Sequence, residues 1–264
     1  MTKFENITVT TQSGAARIAF ARAERRNALT PEMMRECCDA LDIAIADKDV
    51  RAIIVAAEGD HFSVGADYEN LDKMKDMRAA AVRDQIYTHF QGAVRRVWAC
   101  PKPTIALVQG AAVTVGAELA LACDFRIMAE GAFLQESWVK LGLIPPLGGL
   151  YLLPRYLGLA KAREVVLRNK RIHAEEALES GIATEVASPD MLADAGHELA
   201  QELMAIAPMA YAHIKEGLHR GLETGMAAEW SANVAVQGTL LTSADFAEGL
   251  AAMRDKRTPR LTGE

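Results

Sequence analysis

Gly110-Ala-Ala-Val-Thr-Val-Gly116-Ala-Glu118-Leu-Ala-Leu-Ala-Cys123-Asp124 sets one carboxylate, Glu118, into an apolar run that reads as a helix opening just after a tight turn. Thr104-Ile-Ala-Leu-Val-Gln109 before it reads as a buried strand, and Phe125-Arg-Ile-Met128 after it as another. Strand, helix and strand in succession predict crossover connections and a mainly parallel sheet. An ionised carboxylate is costly to bury, so Glu118 is paired, protonated or chemically employed. A helix start also presents unpaired backbone N–H groups to an anionic oxygen. An acid beside such a site points to carbonyl chemistry. The competing reading is a structural Glu tied to backbone or to an Arg.

Outward from this stretch, Ile7-Thr-Val-Thr and Ala16-Arg-Ile-Ala-Phe20 alternate like a hairpin turning near Ser13-Gly14. Thr30-Pro31-Glu32 is a helix start, with a hydroxyl cap, a proline in the first turn and an acid behind it. Ala52-Ile-Ile-Val-Ala56 reads as a buried strand, and residues 71–98 as one polar, amphipathic helix. Beyond about residue 190 the pattern is helical throughout, in four segments. These patterns divide the chain into a mixed core, residues 1–190, and a helical region, residues 191–264, suited to oligomerisation.

The 264 residues fit one large domain or a domain with an appendage, and 50% hydrophobic with 24% charged residues is ordinary for a globular protein. A net charge of −6 argues against nucleic acid as the main partner. Cys37, Cys38, Cys100 and Cys123 form no CxxC pair and read as reduced structural thiols. No cluster has metal-ligand spacing, so no metal is expected. With no signal-type or membrane-length apolar run, a cytoplasmic location is expected.

The loop His61-Phe-Ser-Val-Gly-Ala-Asp67 follows a strand and carries Gly65-Ala66, small enough for backbone to approach a ligand. With the turn before Glu118 it could supply two N–H groups to one oxygen, an oxyanion hole worth a few kcal/mol to an enolate-like intermediate. At this point the chain resembles the crotonase (enoyl-CoA hydratase/isomerase) superfamily. The resemblance rests on Arg26-Asn-Ala-Leu29, Phe62-Ser-Val-Gly-Ala-Asp67, Pro101-Lys-Pro-Thr-Ile-Ala, Gln109-Gly110 and Glu118-Leu-Ala-Leu-Ala-Cys-Asp-Phe-Arg-Ile. It continues through Lys140-Leu-Gly-Leu-Ile-Pro145, Gly148-Gly149, Leu153-Pro-Arg155 and Ser243-Ala-Asp245-Phe-Ala-Glu248-Gly249, covering nearly the whole chain in family order.

The resemblance implies a ββα spiral core and helical C-terminal segments that build trimers, often paired into hexamers. It implies a coenzyme A thioester, part of the substrate rather than a separate cofactor, with its carbonyl held by the N–H groups of Ala66 and Val115. The adenine would lie along Ser63–Ala66, including Gly65. Arg26, and Lys256 or Arg257 of a neighbouring subunit, are candidate phosphate partners; each also reads as a solvated charge.

Two departures qualify this. Val115 stands where the family usually has glycine, so its branched side chain narrows the space beside the thioester. Trp138 stands where family hydratases carry their second Glu, and Pro146 where other branches place an Asp. Glu136, two residues before Trp138, shares its face if the segment is extended and would then reach the pocket; the alternative is an exposed or salt-bridged Glu. Trp138 reads as a core residue or as a pocket wall. His89 is a further acid/base candidate or a surface residue, and Asp67 reads as fixing its loop. The expected activity is hydration or double-bond isomerisation of an enoyl-CoA with Glu118 as acid/base. Thioester hydrolysis, or acyl-CoA binding with weak or no turnover, are the rivals.

Overall fold

The computed structural model describes residues 4–264. β1 (Ile7–Gln12) and β2 (Ala15–Phe20) form the expected hairpin, with Ser13 and Gly14 turning the chain at φ 49° and 84°. Thr30 caps α1 (Pro31–Ala46) by accepting the Met33 N–H at 3.2 Å. β3 (Ala52–Ala57) then leads into a loop and α2 (Tyr68–Met74).

The single helix expected over residues 71–98 is instead broken. α2 ends at Met74, α3 spans Ala79–Gln85, and a wide π turn at Ile86–Phe90 leads into α4 (Gln91–Trp98). Leu71, Met74, Val82, Ile86 and Phe90 all line one cavity. A straight helix through those residues would run to roughly 30 Å, too long for both its ends to face one pocket. The breaks fold the segment over instead.

β4 (Thr104–Val108), β5 (Ala111–Val113), α5 (Val115–Ala122), β6 (Phe125–Ala129) and β7 (Phe133–Gln135) follow in quick succession. All eight residues of α5 are buried, as a helix apolar on every face but for Glu118 requires. α6 (Gly149–Leu167), β8 (Arg171–His173), α7 (Ala174–Glu179) and β9 (Glu185–Ala187) complete the mixed part. The main sheet has the order β1-β2-β3-β4-β6-β9 and is parallel except for the β1–β2 hairpin. A smaller sheet, β5-β7-β8, stands beside it. Register along β4 and β6 places Leu107 opposite Ile127, so the two long strands on either side of the β5–α5 segment are direct neighbours.

α8 (Leu192–Met204), α9 (Pro208–Gly221), α10 (Met226–Leu241) and α11 (Ala244–Asp255) are the four expected C-terminal helices. α8 lies on the sheet so closely that a Cβ on Gly196 would sit 2.6 Å from the Leu107 side chain. α9 is tied down through Lys215, 2.9 Å from Asp124, and through Tyr211, whose hydroxyl donates to Asp124 at 2.9 Å. Beyond these anchors, α9–α11 carry Ile214, Leu218, Trp230, Val234 and Met253 at 58–79% exposure. Among the described residues no helix is long and apolar enough to cross a membrane.

Candidate active site

The loop that follows β3 is locked alongside β5. Ser63 donates its N–H to Ala111 and accepts from the Val113 N–H, both at 2.9 Å. Its hydroxyl donates to the Asn27 carbonyl at 2.8 Å and accepts from the Gly65 N–H at 3.1 Å. Leu29 and Asp67 extend the stitching: the Leu29 N–H reaches Gly65 and the Asp67 N–H reaches Leu29. Asp67 also caps α2, accepting from Glu69 and Asn70.

Close approach dictates the glycines. At Gly65 the backbone is left-handed (φ 97°), and a Cβ there would fall 2.1 Å from Thr114 Oγ1. A Cβ on Gly116 would stand 2.7 Å from that of Ser63. The outcome of this packing is chemical. The N–H groups of Ala66 and Val115 find no acceptor among the described residues, and both residues line the same 530 Å³ cavity. The remaining wall is almost wholly apolar, with Asn70 and Lys75 its polar members.

Glu118 is fully buried on α5. Its Oε2 accepts the N–H groups of Leu147 and Gly149 at 2.7 and 2.8 Å, and its Oε1 accepts from the Trp138 indole at 3.3 Å. It therefore sits at the start of α6, where backbone donors and the helix field favour a negative charge. Leu147 and Trp138 face the cavity and Glu118 lies immediately behind them. Burial pushes its carboxyl up to about 7, and the three donors hold back a larger rise.

Glu136 is neither exposed nor salt-bridged. It is 2% exposed, and neither carboxyl oxygen has a hydrogen-bond partner among the described residues. A Cβ on Gly149 would lie 3.2 Å from Glu118 Oε2 and 3.2 Å from Glu136 Oε1, so the two oxygens are separated by at most twice that distance. Burial, and then the charge of Glu118, raise the Glu136 carboxyl well above the usual carboxylate range.

Several expected contacts are not assembled here. The Ser63 side chain is fully buried and spends its hydroxyl on the backbone; of this loop, Ala66 lines the cavity and Ser63 and Gly65 do not. Arg26 is exposed and, through its carbonyl, accepts from Val64. Lys256 is an exposed left-handed cap at the end of α11, and Arg257 is paired with Glu248 within the chain. Neither Arg26 nor His89 lines the cavity, and Lys256, expected to act on a neighbouring subunit's site, lies away from that of its own chain. The N–H donors of Leu147 and Gly149 carry no side-chain signature; Gly148-Gly149 after Ile144-Pro145 was their only trace in the sequence.

A mainly parallel sheet wrapped by helices, with two residues whose N–H groups lack acceptors lining one apolar cavity and buried carboxyls behind its wall, defines a crotonase-type protein. A family model described as enoyl-CoA hydratase/isomerase matches residues 10–264. The mouse enoyl-CoA hydratase domain-containing protein 2, mitochondrial, is 32% identical over 256 residues, covering 95% of this chain and 85% of the relative. A trans-2-decenoyl-[acyl-carrier-protein] isomerase of Streptococcus mutans is 28% identical and covers 99% of each chain. The crystal structure of an enoyl-CoA hydratase from Bacillus anthracis superposes with a TM-score of 0.91 at 30% identity, covering 98% of this chain and 100% of that one. The chain belongs to the enoyl-CoA hydratase/isomerase family and is an enzyme of that general type.

Proposed function

We propose that the protein performs proton-transfer chemistry on an unsaturated acyl-CoA, by hydration or double-bond isomerisation. The observation that carries this is that Ala66 and Val115, whose N–H groups have no acceptor among the described residues, line one apolar cavity whose wall is held by Glu118. The thioester oxygen would accept both N–H groups, which lowers the pKa of the neighbouring carbon acid and stabilises the enolate. Glu118, whose ionised form is stabilised by three donors, would take the proton from water or from carbon. Trp138 would yield its 3.3 Å hydrogen bond as the substrate enters and so open Glu118 to it. Coenzyme A is substrate in this scheme, and no separate cofactor is needed. The apolar lining by Leu71, Met74 and Ile144 suits a hydrocarbon acyl group.

We also propose that the exposed apolar faces of α9–α11 are covered by further copies of the chain, giving a trimer or hexamer.

The decisive experiment is mass-spectrometric turnover against a panel of straight-chain and cyclic enoyl-CoA esters, with Glu118→Gln in parallel. The expected result is a product one water heavier, or an isomer, reduced at least about 100-fold in the variant. Release of free coenzyme A would reassign the enzyme to thioester hydrolysis. Binding with no turnover would make it an acyl-CoA-binding protein.

A further inference from the structure

An unpartnered carboxyl buried at 2% exposure is expensive, and nothing in the packing of β7 requires one at position 136. Glu136 immediately follows β7, and Glu118 comes from α5, so two separate elements bring an oxygen of each acid within 3.2 Å of one point beside Gly149, at the start of α6. Their surroundings are unequal. Glu118 has three N–H donors, which suit a carboxylate; Glu136 has none, which suits a neutral acid.

We infer that Glu136 is the second catalytic acid, displaced by two residues from the position that Trp138 occupies, and that it shares one proton with Glu118. This rests on the reading of the site as an enoyl-CoA enzyme. At rest Glu136 holds the proton and Glu118 is ionised. In hydration the water oxygen bonds to Cβ as its proton passes to Glu118, and the C=C electrons move onto the thioester oxygen held by Ala66 and Val115. The enolate then collapses, and Cα takes the proton of Glu136. Glu118 is now neutral and Glu136 ionised, and return of the proton from Glu118 to Glu136 restores the starting state. One water is consumed and no proton is gained or lost. Trp138 lines the cavity and donates to Glu118, so its withdrawal would open the way to Glu118 and to the acid beside it.

The test pairs Glu136→Gln with Glu118→Gln on the full chain. Glu136→Gln should lower kcat for hydration by about 100-fold or more with KM little changed, and should keep its fold by circular dichroism. Turnover within threefold of the parent, alongside a dead Glu118→Gln, would overturn the assignment while leaving the proposed activity standing. A second readout needs no substrate: carboxyl carbon-13 NMR of glutamate-labelled protein across pH. One buried carboxyl should remain protonated at neutral pH and vanish in Glu136→Gln. If every glutamate titrates in the ordinary range, the shared proton is refuted, even if no acyl-CoA in the panel turns over.

Discussion

Trp138 shows how one side chain can be both wall and hydrogen-bond donor. Its indole N–H steadies Glu118 while its ring faces the cavity. Replacing it with Phe keeps the ring and removes one donor from Glu118. The expected outcome is a further rise in the carboxyl's proton affinity, read as a shift of the acid limb of the kcat profile to higher pH. Both carboxyls also set a stability profile. Their folded-state pKa values lie above the ordinary value of 4.5, Glu118 reaching about 7, so the native state retains protons that the unfolded chain releases. This contribution is complete below about pH 4.5 and is lost as pH rises through the folded values. Glu136→Gln should therefore flatten the fall in melting temperature between about pH 5 and 8. An unchanged slope would mean that Glu136 does not titrate differently in the folded state. The importance of Glu118 was legible in the sequence because a lone acid in an apolar helix is conspicuous. The burial of Glu136 was not, since three residues of β7 give no periodicity strong enough to tell inward from outward.

At the scale of elements, the site depends on how closely the Ser63–Ala66 loop meets the turn before α5. Gly116→Ala would press a methyl group against Ser63, which is anchored by backbone bonds on both sides. We expect a stability loss of about 1–3 kcal/mol in thermal or urea unfolding. Turnover should fall by more than that loss explains, because spreading the Ala66 and Val115 donors by even 1 Å can cost about 100-fold. Wild-type kcat in this variant would show that the two N–H groups do not act as one site. The hairpin, the Thr30 cap and strands β4 and β6 were readable because their signals are local; the three residues of β5 between β4 and α5 were not. The break after Met74 was not: no Gly or Pro marks it, and its cause is the shared cavity, a tertiary demand.

At the scale of the molecule, the chain falls into a sheet-centred body, to which α8 is bound by close packing, and an outer set of helices with bare apolar faces. Val234, 76% exposed on α10, has no reason to be apolar in an isolated chain. Val234→Asp is expected to shift the species seen by light scattering toward the monomer, with the far-ultraviolet dichroism of the core retained. An unaltered mass would place the subunit contacts elsewhere. Sequence periodicity located these helices but could not say what covers them, since a face packed on a neighbour and a face packed on the core read alike.

The three donors that Glu118 satisfies belong to the start of α6 and to the turn around Trp138, so this carboxylate is also a structural clasp joining α5 to the chain beyond β7. Its amide analogue would turn an NH₂ toward donors on at least one side, loosening the clasp along with the chemistry. Glu136 clasps nothing. Anyone wishing to trap a bound thioester in an intact but silent enzyme should therefore alter Glu136 and leave Glu118 in place.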